Sequence, residues 1–233
     1  MRSETINTRG LHAAVRFAPP AVLDKPHKQQ FQIKCNEGFD WRRQEYTDTG
    51  WFLTSPQVDG DPRSHLKLTV HPDLVTFEDA FPTGPLDLFY DNLKLALDSV
   101  VAVFTPRVIL GSGCIVRLTA QADGGDARVF LGRRCLRLDD RLGPLGRPVH
   151  AVGLKMLLPP LPGKDKPNWQ AEVKVESLVE DVSQLYIEVD ARWANPVQWD
   201  QATILERIRL THEFTTKEVI GFLRGLEEGP QTY

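Results

Sequence analysis

Short stretches of alternating hydrophobic and polar residues predict β-strands in several parts of the chain. The clearest one covers residues 185–193, where every second residue is apolar. Two more, at residues 66–70 and 75–77, flank His71-Pro72-Asp73, whose proline and aspartate favour a turn. We therefore predict a hairpin with this tripeptide at its tip. Further strands are predicted over residues 31–35, 51–53, 108–118 (with a break at Gly111-Ser112-Gly113), 149–158 and 173–175.

Apolar residues spaced three and four positions apart predict helices in three other segments. The first helix follows Gly84-Pro85 and ends before Pro106. Its apolar face comprises Leu86, Phe89, Leu93, Ala96, Leu97, Val100 and Phe104. A shorter helix is predicted over residues 131–142. The last helix covers residues 202–224 and kinks at Thr215-Thr216, where Thr215 and Glu218 would form a capping box if the helix restarts.

Runs of neighbouring strands followed by a long helix occur twice along the chain, which favours an α+β fold over an alternating α/β fold. We expect two related halves, in which antiparallel β-sheet packs against two long amphipathic helices. The halves are predicted at residues 12–122 and 123–226, with flexible ends at residues 1–11 and 227–233. Duplication is inferred from the order of the elements, because residue identity between the halves is weak.

The composition of the chain narrows its functional class. Of its 233 residues, 41% are hydrophobic and 25% charged, and the formal net charge is −3. Nucleic-acid binders gain most of their affinity by neutralising phosphates, and this chain has no overall basic excess for that purpose. Three widely separated cysteines without a C-x-x-C pair indicate a reducing compartment. Since neither a signal peptide nor a membrane-spanning apolar stretch is found, we expect a cytoplasmic protein that does not enter the membrane.

The order of these elements resembles that of a sporadically distributed family of uncharacterised bacterial proteins of similar length. The resemblance covers about residues 12–224 and is carried by LKLTVHPDLVTFE, LDLFYDNLKLALDSV and LYIEVDARW, by the strand that begins near Arg107, and by Leu210, His212 and Phe214. The stretch GSGCIVRLTA departs from the family, because the Tyr-x-Asn-like signature of its middle strand is missing. The resemblance implies this order of elements and no known function.

Residues that could perform catalysis or bind a metal are spread along the chain without a recognisable motif. The six histidines show no H-x-x-x-H spacing, and the glycines form neither a P-loop nor a G-x-G-x-x-G fingerprint. We therefore expect no cofactor and no metal ion. Cys114 and Cys135 lie among apolar residues and are expected to be buried and inert. Trp41, Trp51, Trp193 and Trp199 are expected in the core, and a role of Trp193 and Trp199 at an interface is the alternative interpretation.

One local charge pattern stands out against this even background. Arg133, Arg137 and Arg141 recur every four residues, with Arg134 beside the first. On the predicted helix these side chains would form one basic stripe opposite the apolar side. Arginine presents a planar fork to oxyanions, so the stripe is our candidate site for an anionic ligand or an acidic partner surface. A solvated surface with acidic neighbours is the alternative interpretation.

Because no convergent polar motif is present, we expect a non-enzymatic protein that binds another protein, as a component of a multi-protein bacterial system. A homo-oligomer is compatible with this interpretation, and a sheet of this kind can offer an edge for strand pairing. Two alternatives remain open. One is a nucleic-acid-binding tandem α+β module that uses the arginine stripe. The other is an enzyme with dispersed catalytic residues such as His71, Asp73 or His212.

Overall fold

In the computed structural model the described residues are 6–57, 62–138, 146–147, 149–163 and 167–228. They combine a large antiparallel β-sheet with helices, which confirms the predicted α+β class. The chain divides into two compact units. Unit 1 consists of residues 1–9, 116–190 and 211–233, and unit 2 consists of residues 10–115 and 191–210. The predicted duplication between residues 12–122 and 123–226 stays a prediction.

The elements have the following bounds. The strands are β1 Asn7–Ala18, β2 Arg43–Tyr46, β3 Trp51–Thr54, β4 His65–His71, β5 Leu74–Ala80, β6 Val108–Gln121, β7 Gly153–Leu158, β8 Gln170–Ser177, β9 Gln184–Trp193 and β10 Val197–Gln198. The helices are α1 Lys25–Gly38, α2 Leu86–Phe104, α3 Ala127–Val129, α4 Gln201–Glu213 and α5 Ile220–Glu228. A π-helical turn, Phe130–Cys135, continues α3, and another, Phe214–Val219, joins α4 to α5.

In unit 2 the strands follow the order β2-β3-β4-β5-β1-β6, and β10 pairs with β6. Strands β4 and β5 form the predicted hairpin, with Pro72 and Asp73 in its turn. Helix α2 packs against α1 and β5 and buries Phe89, Leu93 and Val100, so its predicted apolar face is confirmed. Strand β6 runs without interruption through Gly111-Ser112-Gly113, where a break was expected.

Residues 31–35 belong to helix α1, so the strand predicted there is wrong. Asp24 caps the helix by accepting a backbone N–H at 3.0 Å. Phe31 and Cys35 are buried and lie four positions apart, on one face of the helix. Ile33 points away from that face and is 63% exposed. The apparent period of two therefore came from two residues of one helical face with an exposed residue between them.

The C-terminal helical segment contains a π turn at the predicted kink. The Thr215 hydroxyl donates to the carbonyl of Thr211 at 2.7 Å, and the Thr216 hydroxyl donates to that of His212 at 2.8 Å. Both hydroxyls bond back into the preceding turn, and the helix continues through the π turn instead of restarting, so the predicted capping box is not formed. Of the helices in the described ranges α2, with 19 residues, is the one long uninterrupted α-helix, because the π turn divides the C-terminal segment into α4 and α5, and the predicted second long helix is not confirmed. None of these helices has the length and apolar character required to cross a membrane.

In unit 1 the strands follow the order β6-β9-β8-β7. Strands β8 and β9 bury every second residue, as the alternation over residues 185–193 predicts. Helix α3 packs against β8, and its π turn contacts β7 and α5. Strand β7 is shorter than the predicted 149–158 segment and does not follow the same alternation, since both Leu157 and Leu158 are exposed. This strand positions the candidate site.

Candidate functional site

Strand β7, Gly153–Leu158, is the last strand in the order of unit 1, and within the described residues it pairs with β8 alone. Its sequence, GLKMLL, is polar only at Lys155. Leu157 is 59% exposed and Leu158 is 40% exposed. An apolar edge strand with an unpaired backbone is a template on which another polypeptide can add a strand. We therefore take the outer edge of β7 as the candidate functional site.

The hydrogen bonds at the start of β7 determine which backbone groups face outward. The carbonyl of Val152 accepts the N–H of Ser177 at 2.9 Å, and the N–H of Val152 donates to the Ser177 hydroxyl at 3.0 Å. In an antiparallel ladder every second residue directs its N–H and C=O to the same neighbour. The even-numbered residues of β7 therefore bond to β8. The N–H and C=O groups of Gly153, Lys155 and Leu157 point to the open edge.

The two faces of β7 differ in character. On one face the register sets Leu154, Met156 and Leu158 opposite the buried Val175, Val173 and Ala171. On the other face Leu157 lies opposite Glu172, and the ammonium of Lys155 lies 2.7 Å from the Glu172 carboxylate. An added strand would thus meet a continuous apolar row on one face and one lysine beside an exposed leucine on the other.

The chain that follows β7 limits the length of the open edge. Pro159 and Pro160 come directly after Leu158, and proline has no N–H to donate to a ladder. The N–H of Leu161, the next non-proline residue, already donates to the carbonyl of Pro167 at 2.8 Å. The open edge therefore ends at Leu158, the last of the six residues of β7.

The predicted arginine stripe does not lie on one helix. The π turn that continues α3 ends at Cys135, so the helix predicted over residues 131–142 is too long. Arg133 and Arg134 lie in the last turn and are exposed. Arg137 lies beyond the helix in a left-handed conformation, with φ of 51°, and Arg141 lies outside the described residues. A shared helical face for the four side chains is therefore not formed, and their role in binding an anion or an acidic partner stays a prediction.

A hollow of about 290 Å³ lies beside the first of these arginines. Its lining includes Arg133, Arg128 and Asp126, together with Leu138 and Val152. The guanidinium of Arg128 bonds the Asp126 carboxylate through two nitrogens, at 2.7 and 3.1 Å. These bonds lower the pKa of Asp126 to about 2, so it is ionised at neutral pH. The hollow thus contains a neutralised ion pair, and a phosphate entering it would face the Asp126 charge.

The residues of the enzyme alternative have identified structural contacts. In unit 2 the His71 ring nitrogen Nδ1 lies 2.8 Å from the carbonyl of Thr49, and Asp73 accepts a hydrogen bond from Arg16 at 2.7 Å. In unit 1 burial lowers the pKa of His212, which favours its neutral form. The contacts of His71 and Asp73 are those of residues that stabilise a turn, and His212 is a partly buried helix residue. The enzyme alternative stays a prediction.

Adjacent carboxylates such as Glu78-Asp79 predict a solvated surface, but the structure buries the carboxyl group of Asp79, so that prediction is wrong for this residue. Asp79 lies on the inner face of β5, in the row of Val75 and Phe77. Burial raises its pKa to about 6, and the nearby charge of His65 opposes this shift. A perturbed carboxyl can mark an active site, but only where other groups converge on a pocket. Within its sheet Asp79 lies opposite Leu11 of β1 on one side and opposite Leu66 of β4 on the other.

Cysteines and tryptophans occupy mostly the positions expected for core residues. Cys114 is buried, as predicted, whereas Cys135 is partly exposed. Trp41, Trp51 and Trp193 are buried. Across the ranges that the structure describes, no three His, Cys, Asp or Glu side chains are grouped in a way that could hold a metal ion.

Neither a scan of protein-family models nor a search of curated proteins finds a match to this chain. The assignment of the site therefore depends on geometry. The sequence pattern predicted β7 as a strand but missed its position at the end of the strand order. The available signal was the pair of prolines that follows Leu158, because proline within sheets is confined to edge strands and strand ends.

Proposed function

We propose that this chain is a non-enzymatic protein-binding or assembly component that accepts a strand of a second polypeptide chain on the open edge of β7. The observation that carries the proposal is the outward direction of three N–H and three C=O groups, those of Gly153, Lys155 and Leu157, beside two exposed leucines. Backbone groups of this kind provide affinity in strand addition, and the side chains beside them provide selectivity.

The expected affinity follows from the size of the edge. Each backbone hydrogen bond formed in water contributes about 0.5–1.5 kcal/mol, and complete burial of one leucine side chain contributes about 1.5–3 kcal/mol. Association itself costs about 4–15 kcal/mol. The gains and the cost are of the same order, so the edge alone supports reversible binding. Tighter binding would need further contacts outside β7.

A proline at position 155 tests the proposal. Because the N–H of Lys155 points away from β8, Lys155→Pro removes a hydrogen bond from the open edge without removing one from the β7–β8 ladder. Lys155→Thr is the matched control, because it also removes the charge but keeps the N–H and has a high β-propensity. We expect proteins that co-purify with the unchanged chain to be lost with Lys155→Pro and retained with Lys155→Thr, as measured by quantitative mass spectrometry.

Circular dichroism establishes that both variants are folded before they are compared. A folded Lys155→Pro variant that captures the same proteins in the same amounts as Lys155→Thr would refute binding through the β7 edge. Equal loss in both variants would instead assign the interaction to the lysine charge, and this outcome would also contradict strand addition.

Several expectations from the sequence remain parts of this proposal. A cytoplasmic location is supported by the spacing of the three cysteines. The bacterial family and the duplication are supported by the order of the predicted elements, and participation in a multi-protein system is supported by the open edge of β7. The nucleic-acid alternative is less well supported than strand addition, because Asp126 neutralises Arg128 beside the exposed Arg133.

A further inference from the structure

The open edge of β7 has a sequence that can pair with itself. When two copies of one strand pair antiparallel about a two-fold axis, opposite residues must point to the same face of the sheet. An axis between two residues would set each residue opposite its neighbour in sequence, and neighbours in a strand point to opposite faces. The axis of two identical strands must therefore lie on a residue. Only axes on Lys155 and on Met156 pair five of the six residues of β7, namely residues 153–157 or 154–158.

We propose that the occupant of the edge is a second copy of this chain, paired through β7 with Met156 on the two-fold axis. This inference rests on the proposed function, since it names the partner of the same edge. In this register Lys155 of each copy lies opposite Leu157 of the other. Both residues direct their backbone groups outward, so each such pair exchanges two hydrogen bonds.

The side chains on the apolar face match in this register. Leu154 of one copy lies opposite Leu158 of the other, at both ends of the paired segment, and the two Met156 side chains meet in the middle. Met156 belongs to the residues bonded to β8, so the central pair is of the non-hydrogen-bonded type, in which side chains approach more closely. Three apolar pairs would therefore extend the row formed by β7 and β8.

The charge of Lys155 decides between the two registers. An axis on Lys155 would set two ammonium groups directly opposite each other, an arrangement that destabilises a strand pair. An axis on Met156 instead sets the aliphatic part of Lys155 against the exposed Leu157 of the other copy. The Glu172 carboxylate, 2.7 Å from the Lys155 ammonium, remains available as its counter-charge.

Pairing of this kind closes at two chains. The same surface is used by both copies, which is the isologous arrangement of a two-fold dimer. Pro159 and Pro160 lack N–H groups beyond the paired segment, so the shared ladder ends with β7. An open series of chains would need a second edge of matching character.

Cross-linking tests the register. The Cα atoms of a non-hydrogen-bonded pair are about 4.5 Å apart, within the range of about 4.4–6.8 Å that disulfides require. In a Cys135→Ser background, which removes the partly exposed native thiol, we expect Met156→Cys to give a disulfide-linked dimer as the main product of mild oxidation. Leu157→Cys is the matched control, because it keeps the charge of Lys155 and its two copies would lie on a diagonal about 7–8 Å apart, where they should cross-link poorly.

Sedimentation equilibrium tests the dimer without cross-linking. We expect the mass of two chains for the unchanged protein and for Lys155→Thr, and the mass of one chain for Lys155→Pro. A single-chain mass for the unchanged protein at all concentrations would overturn the dimer. A Met156→Cys variant that cross-links no better than Leu157→Cys would overturn the register. If the protein is monomeric but co-purifying proteins are still lost with Lys155→Pro, the homodimer fails while the proposed strand addition stands.

Discussion

Strands β2 and β7 each lie at the end of the strand order of their unit, but they differ in length and in the number of charged residues. Strand β2 has four residues, RQEY, with an exposed ion pair of 3.3 Å between Arg43 and Glu45. Strand β7 has six residues, GLKMLL, with a single charge. Short length and charge are the devices by which proteins protect edge strands from other chains. Of these two edges in the described residues, the apolar one is that of β7, which supports a function for it.

The two units also differ in the direction in which folding shifts the pKa of a carboxyl group in the sheet. In unit 1 burial opposes ionisation of Glu188, but hydrogen bonds from Arg117 at 2.8 Å and Tyr186 at 2.7 Å outweigh this effect and lower its pKa. In unit 2 burial of Asp79 outweighs the charge of His65, and its pKa rises to about 6. The two carboxyl groups should therefore give opposite dependences of stability on pH.

The largest expected effect on the free energy of unfolding comes from placing the proline at residue 156 instead of residue 155. Met156→Pro removes an N–H that bonds β8, so we expect the free energy of unfolding to fall by at least about 1–3 kcal/mol. Lys155→Pro removes an outward N–H and should change it by less than about 1 kcal/mol. Urea denaturation of both variants measures the difference. Equal destabilisation would show that the assignment of inward and outward residues is wrong, and with it the contrast between the two sides of β7.

The next largest effect concerns the buried carboxyl group of unit 2. Because the pKa of Asp79 is raised by folding, its stabilising contribution is complete below its ordinary value of 3.8 and is lost as the pH rises through about 6. We expect Asp79→Asn to abolish this loss, so that above pH 6 the variant is more stable than the unchanged protein by up to about 2 kcal/mol. Urea denaturation over a series of pH values measures this effect.

Glu188→Gln is the matched control for that experiment. Since folding lowers the pKa of Glu188, its contribution is present above the ordinary pKa of a glutamate and is lost as the pH falls. The control should therefore be less stable than the unchanged protein near neutral pH, opposite in sign to Asp79→Asn. The same sign in both variants would contradict the contrast drawn between the two carboxyl groups.

The smallest expected change in stability comes from removing the two charges that keep other chains from pairing with the edge of β2. Replacing both charged residues, Arg43→Val with Glu45→Val, deletes an exposed ion pair worth about 0–1 kcal/mol and leaves the strand with a higher β-propensity. We expect little change in melting temperature but increased self-association, measured by light scattering. Arg42→Val, which changes an exposed charge just before the strand, should have no such effect. If the double variant stays as dispersed as this control, charge is not what protects the β2 edge.

Local patterns were sufficient for elements whose burial follows a simple period. Strand β9 and helix α2 have one buried side throughout, so residue spacing alone predicted their type and their inner faces. Helix α1 was mistaken for a strand, although Asp24 followed by Pro26 carried a helix-start signal. Three alternating apolar residues are too few to separate a period of two from one side of a helix. The arginine spacing failed for a related reason, since the helix ends at Cys135 before the repeat is complete.

The sequence by itself determined the α+β class, the β4–β5 hairpin and the apolar character of β7, because these depend on neighbours in the chain. Only the tertiary structure decided that, among the described residues, β7 pairs on one side and β8 on two. It also decided which residues of β7 direct their N–H groups outward, and that Asp79 is buried. Strand order is set by contacts between residues far apart in sequence. The same apolar strand is core when two neighbours cover it and a binding edge when one neighbour does.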